Sequence, residues 1–370
     1  MSSMLRAVID GCHYRSSSRI CLIALRSGGW HSGQVAGDLR VGVFLVVAGF
    51  PGWGQGELLG AAVEAGVVAE GVGFDDVWVA EHHFMSYGLC PSAVTLAGHI
   101  LGRTSRVNVG TAVSVLSTAH PVALAEQAVL LDHVSGGRFR LGVGRGGPWV
   151  DLEVFGTGLA RYEDGFAESL DLLLAALSGG AVAGHGPVFR FPAVEMVPRP
   201  ERAIRPVVAV TSRRTLGLAA ARGLPMLLGM HIGDADKAAM VEAYGRAAGD
   251  TGDVPHVAAG LAQVADTTEE AVAVITRSLP RWLEPGLAGY RRADGRPYRP
   301  RNARDYTDLL CRLHPVGSPS HCVATLRATV ERTGIRHLIL AVEGAGDPAA
   351  TIENVTRLGT EVLPLLRESM

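Results

Sequence analysis

From Arg40 onward the chain alternates short, wholly apolar runs with longer amphipathic patterns, and it does so eight times. The apolar runs are 41–47, 75–80, 106–112, 138–143, 206–211, 225–228, 256–263 and 337–342. They carry no polar alternation, as expected of parallel strands covered on both faces. The intervening patterns predict helices over 55–70, 91–103, 121–134, 162–177, 234–248, 269–279 and 349–358, with one more running to Arg222. Helix starts carry caps or a first-turn proline (Ser92, Pro121, Thr267), and helix ends carry glycine (Gly71, Gly136, Gly223, Gly249). Strand-to-helix alternation implies a parallel sheet, and eight units imply closure into an α/β (β/α)8 TIM barrel.

Two insertions interrupt the repeat. Residues 181–200, after helix four, hold Gly184, Gly186, Pro187 and Pro192 and read as a short hairpin. Residues 280–319, after strand seven and its helix, are rich in Arg, Pro, Gly and Tyr and poorly periodic. A connection of that length suits a lid over a site. The barrel domain is expected over 39–368, behind a Ser- and Arg-rich tail, 1–38, expected to be disordered.

Composition removes several functional classes. A 48% hydrophobic content with 19% charged residues suits a large-cored globular protein. A net charge of −2 gives no reason to expect nucleic acid or anionic membrane as a partner, and the longest apolar stretch, 41–50, is half a membrane span. Five scattered cysteines form no C-x-x-C pair, which fits a reducing cytoplasm without structural zinc or disulfides. The 34 basic residues include one lysine, Lys237, placed by its pattern on a solvated helix face. Lysine-based covalent catalysis is thereby disfavoured.

Barrel enzymes place their chemistry where strands end. Strand two runs into Glu81-His82-His83-Phe84. Adjacent residues leaving a strand point in opposite directions, so one histidine is expected in the pocket and joint metal binding is not. Strand four runs into Gly142-Val143-Gly144-Arg145-Gly146-Gly147-Pro148, a loop able to approach an anion closely beside a guanidinium. It also fits the dinucleotide pattern G-x-G-x-x-G, but no helix opens within it. Strand five runs into Thr211-Ser212-Arg213-Arg214-Thr215 at a helix start, a second candidate phosphate cradle. No G-x-S-x-G elbow or H-E-x-x-H helix is present, so a bound cofactor is the expected source of the chemistry.

Residues 72–84, Val-Gly-Phe-Asp-Asp-Val-Trp-Val-Ala-Glu-His-His-Phe, resemble the strand-two signature of the bacterial luciferase-like flavin monooxygenases. The likeness continues through Val109-Gly110-Thr111-Ala112-Val113, Thr118-Ala119-His120-Pro121, Ser135-Gly136-Gly137-Arg138-Phe139 and Gly144-Arg145-Gly146. It covers roughly 40–364 and is nearest to the luciferase α subunit.

The resemblance implies an enzyme that uses reduced FMN and O2 to oxygenate a small molecule, supplied with reduced flavin by a separate NAD(P)H-dependent reductase. It implies that His82 is the catalytic base and that a cis peptide at Ala112–Val113 lies beneath the flavin ring. It assigns the phosphate to Gly144, Arg145 and 211–215, turns Glu81 and His83 toward a subunit interface, and makes 121–134 a homodimer surface. Phe44 is a candidate for the cofactor side, and Trp149, Met230, Trp282 and Glu343 for a pocket suited to a hydrophobic or aromatic secondary metabolite.

There are departures. Gly144 stands where luciferase has a reactive cysteine, and Met230 where it has a tryptophan. Val210 and Arg213 replace smaller or acidic family residues, leaving open a deazaflavin-dependent hydride-transfer enzyme on the same barrel. A non-catalytic flavin-binding relative is a further alternative.

Overall fold

The computed structural model describes residues 38–249 and 254–369, so the expected tail lies, but for Asp38, outside the described residues. Strand β1 (Arg40–Leu45) shows how one repeat builds a two-layered core. Its Val41, Val43 and Leu45 pack outward against the helices, while Phe44 joins the inner cluster of the barrel. Helix α1 (Gln55–Gly71), β2 (Asp76–Val79) and α2 (Ala93–Arg103) follow. The third strand is broken into β3 (Asn108–Thr111) and β4 (Ser114–Val115). After α3 (Pro121–Val134), the fourth is likewise broken into β5 (Phe139–Arg140) and β6 (Gly142–Gly144).

Helices α4 (Asp151–Val154), α5 (Gly158–Glu163) and α6 (Gly165–Leu177) lead into an antiparallel hairpin, β7 (Ala181–His185) and β8 (Arg190–Glu195). This is the hairpin expected within 181–200. The repeat resumes with β9 (Val207–Val210), α7 (Arg213–Ala220), β10 (Met226–Leu228) and α8 (Asp234–Ala248). Strands β11 (Val257–Leu261) and β12 (Gln263–Val264) precede α9 (Thr268–Ala288), α10 (Ala303–Leu313) and β13 (Val316–Gly317). Helix α11 (Pro319–Thr333), β14 (His337–Ala341), α12 (Pro348–Arg357), a π-helical turn (Leu358–Val362) and α13 (Leu363–Glu368) complete the order.

All pairings around the main sheet are parallel. Strand β1 lies between β14 and β2, and β2 pairs with β3. Strands β3 and β4 pair with β5 and β6, and β6 pairs with β9. Strands β9, β10, β11 and β14 then run in sequence back to β1. Each of the eight strand positions therefore has two neighbours, and the sheet closes as a (β/α)8 barrel. Trp78 fills its interior at 1% exposure. Opposite it stands Gly110, where a Cβ would lie 2.8 Å from the indole, so the large ring is accommodated by the missing side chain across the sheet.

Two expectations are corrected. Lys237 is not solvated: it is 2% exposed, and its Nζ donates to the Ala259 carbonyl at 3.1 Å. That bond joins α8 to β11, and burial lowers the Lys237 pKa. The helix expected to stop at 279 runs on to Ala288 through Pro280 and Pro285. Proline removes a helix hydrogen bond, but here the helix continues on the buried face of Ile275, Leu279, Trp282 and Leu283. With α10, this makes much of 280–319 helical. No helix among the described residues is long and apolar enough to cross a membrane.

Candidate active site

Two of the expected cradles meet because β6 and β9 are neighbours. The Arg145 guanidinium lies 4.2 Å over the Tyr162 ring, and Ser117 Oγ donates to the Arg145 carbonyl at 2.7 Å. At the start of α7, Ser212 Oγ accepts from the Thr215 amide at 3.2 Å. Thr215 is buried and its hydroxyl accepts from the Thr211 and Ser212 amides, so it shapes the loop. Thr211, Arg213 and Arg214 are exposed, and Arg214 reaches Asp164 at 3.4 Å. Neither Arg145 nor Arg213 has an ion-pair partner among the described residues. Two unpaired guanidiniums beside a helix N-terminus and a glycine loop can hold a phosphate.

The Ala112–Val113 peptide is cis, and it divides β3 from β4. Beside it the Glu-His-His motif splits three ways. Glu81 accepts from the Val115 amide at 2.9 Å and the Ala93 amide at 3.0 Å, which ties β4 to the start of α2. The His83 ring turns to Phe155 (4.9 Å between centroids) and lies 3.7 Å from Glu81. The His82 ring goes the other way, edge-on to Tyr87 at 5.0 Å. The opposite directions of the two histidines follow from strand geometry.

His82 Nδ1 is buried with no hydrogen-bond partner among the described residues. Gly88 faces it, and a side chain there would collide with the imidazole. Burial, then the nearby His83, lowers the His82 pKa to about 4, so the ring is neutral at pH 7.

A narrow cavity of about 20 Å3 opens beside Tyr87, on the side of the barrel formed by β1, β11 and β14. Phe50, Tyr87, Met230, Trp282, Tyr306 and Glu343 are among its walls. Trp282 Nε1 donates to the Tyr87 carbonyl at 2.8 Å and its ring stacks on Tyr87 at 4.7 Å. The Glu343 carboxylate accepts from the amides of Val46, Val47 and Ala48 at 2.7, 3.1 and 3.1 Å. Burial raises its pKa to about 7 against the pull of those three hydrogen bonds.

Met230, Trp282 and Glu343 thus share one cavity, whereas Phe44 and Trp149 are not among its walls. Phe44 belongs to the inner barrel core. Trp149 packs on Tyr290 and Tyr298, which belong to a strap over 289–302, and the strap hydrogen-bonds to the loop after β6 through Val150 and Pro148. Sequence reasoning passed over Tyr87 and Tyr306. Tyr87 lies five residues beyond His82 in the same loop, which was the available signal.

A flavin-dependent oxygenase barrel is the class these features define. The luciferase-like monooxygenase family model matches residues 39–337, and the chain belongs to that family. It is 28% identical to the alkanal monooxygenase alpha chain of the Kryptophanaron alfredi symbiont, over 89% of this chain and 99% of that one. Its fold is shared with the monooxygenase RslO1 from Streptomyces bottropensis at a TM-score of 0.75 and 22% identity, covering 88% of this chain and 99% of that one. It is shared also with the oxygenating constituent of 3,6-diketocamphane monooxygenase from Pseudomonas putida, solved with FMN, at a TM-score of 0.71 and 20% identity, covering 88% and 98%. The protein is an oxygenating oxidoreductase of the luciferase-like flavin monooxygenases.

Proposed function

We propose that the protein is the oxygenase half of a two-component monooxygenase, taking reduced FMN from a separate NAD(P)H-dependent reductase and O2 from solution. Its substrate is a small molecule with a hydrophobic or aromatic body, of the kind made in secondary metabolism. The carrying observation is the neutral His82, whose buried Nδ1 has no partner among the described residues and whose ring stands against Tyr87 of the apolar cavity wall.

The residues fit the cofactor. Arg145, Ser212 and Arg213 would hold the phosphate, and Gly144 and Gly146 leave the backbone bare beside them. Bound reduced FMN supplies the electrons that activate O2. His82, unprotonated at its working pH, accepts a proton or a hydrogen bond at the reacting centre. The apolar walls exclude water from the cavity. Self-association through α3 is supported by Leu130 and Val134, which are 52% and 71% exposed on it. Free thiols at Cys90, Cys311 and Cys322 fit the reducing cytoplasm in which such a reductase works.

An anaerobic titration with photoreduced FMN, followed by mixing with oxygenated buffer, tests this reading. Tight binding of reduced FMN and reoxidation slower than that of free flavin are expected. Failure to bind FMN in either redox state, with binding of a deazaflavin instead, would overturn it.

A further inference from the structure

Above the cavity the aromatic rings continue as a connected group rather than ending at its wall. Tyr87 and Tyr306 line the cavity. Tyr290, in the strap, lies 5.9 Å from Tyr87 and 5.6 Å from Tyr298 between ring centroids. The Arg301 guanidinium stands 5.0 Å over the Tyr306 ring. None of the four hydroxyls has a hydrogen-bond partner among the described residues, and none is sealed from open space. Arg301 has no carboxylate partner there either.

We propose that Tyr87, Tyr290, Tyr298, Tyr306 and Arg301 form a recognition rim for the carboxylate of an amphipathic substrate whose apolar body packs on the apolar walls of the cavity below. The assignment deepens the proposed oxygenase reading and rests on its cavity.

The chemistry of the rim is one-sided. Burial raises the pKa of all four phenols, and for Tyr87 and Tyr290 the neighbouring phenols add to it, so each stays protonated and able to donate. Among the charges acting on Tyr87, Tyr298 and Tyr306, only Arg301 pulls the other way. Arg301 cannot lose its proton and presents paired donors matched to a carboxylate. Four neutral phenols and a cation gather there, and the carboxylate that acts on them, Asp151, acts on Tyr290, so the side of the rim around Arg301 suits an acceptor-only, negatively charged group. Glu343 sets the direction of binding. It lines the same cavity with its oxygens committed to three backbone amides, and its carboxylate form repels a second one. The substrate's charged end is therefore held at the strap, and the apolar end is directed inward past Trp282.

Calorimetric titration of the full-length protein with 2-naphthoate and with 2-naphthamide, a neutral analogue of similar shape, tests this. Naphthoate is expected to bind at least about tenfold more tightly, as for a charge-assisted pair. Arg301→Gln should abolish that preference and Tyr298→Phe should reduce it, with naphthamide affinity and the unfolding temperature unchanged. Equal affinities in the unmodified protein, or a preference that survives both substitutions together, would overturn the rim. Because the titration needs no flavin, a protein that prefers naphthoate yet fails to bind reduced FMN would leave the rim standing and remove the oxygenase reading. Binding of neither ligand would remove the rim and its cavity together.

Discussion

The Tyr87 ring stands edge-on to His82 and nearly parallel to Trp282, so one side chain carries contact between the neutral histidine and the cavity wall. His82 can stay neutral because these rings replace water around it, and desolvation disfavours the charged imidazole. Two pH effects follow. The native pKa of about 4 lies below the ordinary 6.5, so the unfolded chain binds a proton before the folded one does. The stabilisation from this group is complete above pH 6.5 and is lost as pH falls through 6.5 toward 4, by at most about 3 kcal/mol at about 1.4 kcal/mol per unit.

Catalysis should show the same displacement. If His82 is the base, the acid limb of kcat/KM falls near pH 4 to 5, and His82→Gln lowers turnover by about 10²–10⁴-fold while removing that limb. A limb that stays near pH 6.5, or that is unchanged in the variant, would assign the proton to another group.

The helices expected over 121–134 and 234–248 match the observed ones to the residue, because Pro121 opens one and Gly249 closes the other. Pattern and punctuation are local, and closure follows from their eightfold repetition, with β1 pairing the distant β14. What could not be read depended on distant partners. The prolines of α9 mark a stop by their own geometry, and only the wall they pack against overrides it. Lys237 reads as a surface residue because its acceptor, the Ala259 carbonyl, lies on another repeat. Likewise Trp149 and Tyr87 both follow barrel strands, and nothing local says that the first joins the strap while the second lines the cavity.

Glu343 is expected to act as a brace for the loop after β1. Glu343→Ala strands the amides of Val46, Val47 and Ala48, all nearly inaccessible. Unpaired buried amides cost about 1–3 kcal/mol each, so a loss of roughly 3–5 kcal/mol in urea unfolding is expected. Glu343→Gln should lose less, about 1–2 kcal/mol, since one oxygen still accepts while its NH2 confronts an amide. A Gln variant as damaged as the Ala variant would mean that the charge, rather than the acceptors, holds the loop.

The absence of a side chain at Gly144 is matched to Val113. A Cβ built at 144 would lie 2.5 Å from Cγ2 of Val113, too close to coexist with it. Gly144→Cys should therefore destabilise by about 1–3 kcal/mol through overpacking, and adding Val113→Ala should recover most of the loss. Additive effects in the double variant would show that the two sites are not coupled by contact.

Arg145 offers the most direct separation of phosphate binding from ring binding. Its guanidinium is free of acidic partners among the described residues and is held in place by Tyr162 beneath it. A charge-assisted contact contributes about 1.5–3 kcal/mol, so Arg145→Gln should weaken FMN binding by roughly 10- to 100-fold. Riboflavin lacks the phosphate, and its affinity should not change. Fluorescence titration with both flavins makes the comparison within one protein. If riboflavin weakens in parallel with FMN, Arg145 is shaping the ring site instead, and the phosphate belongs with Ser212 and Arg213 alone.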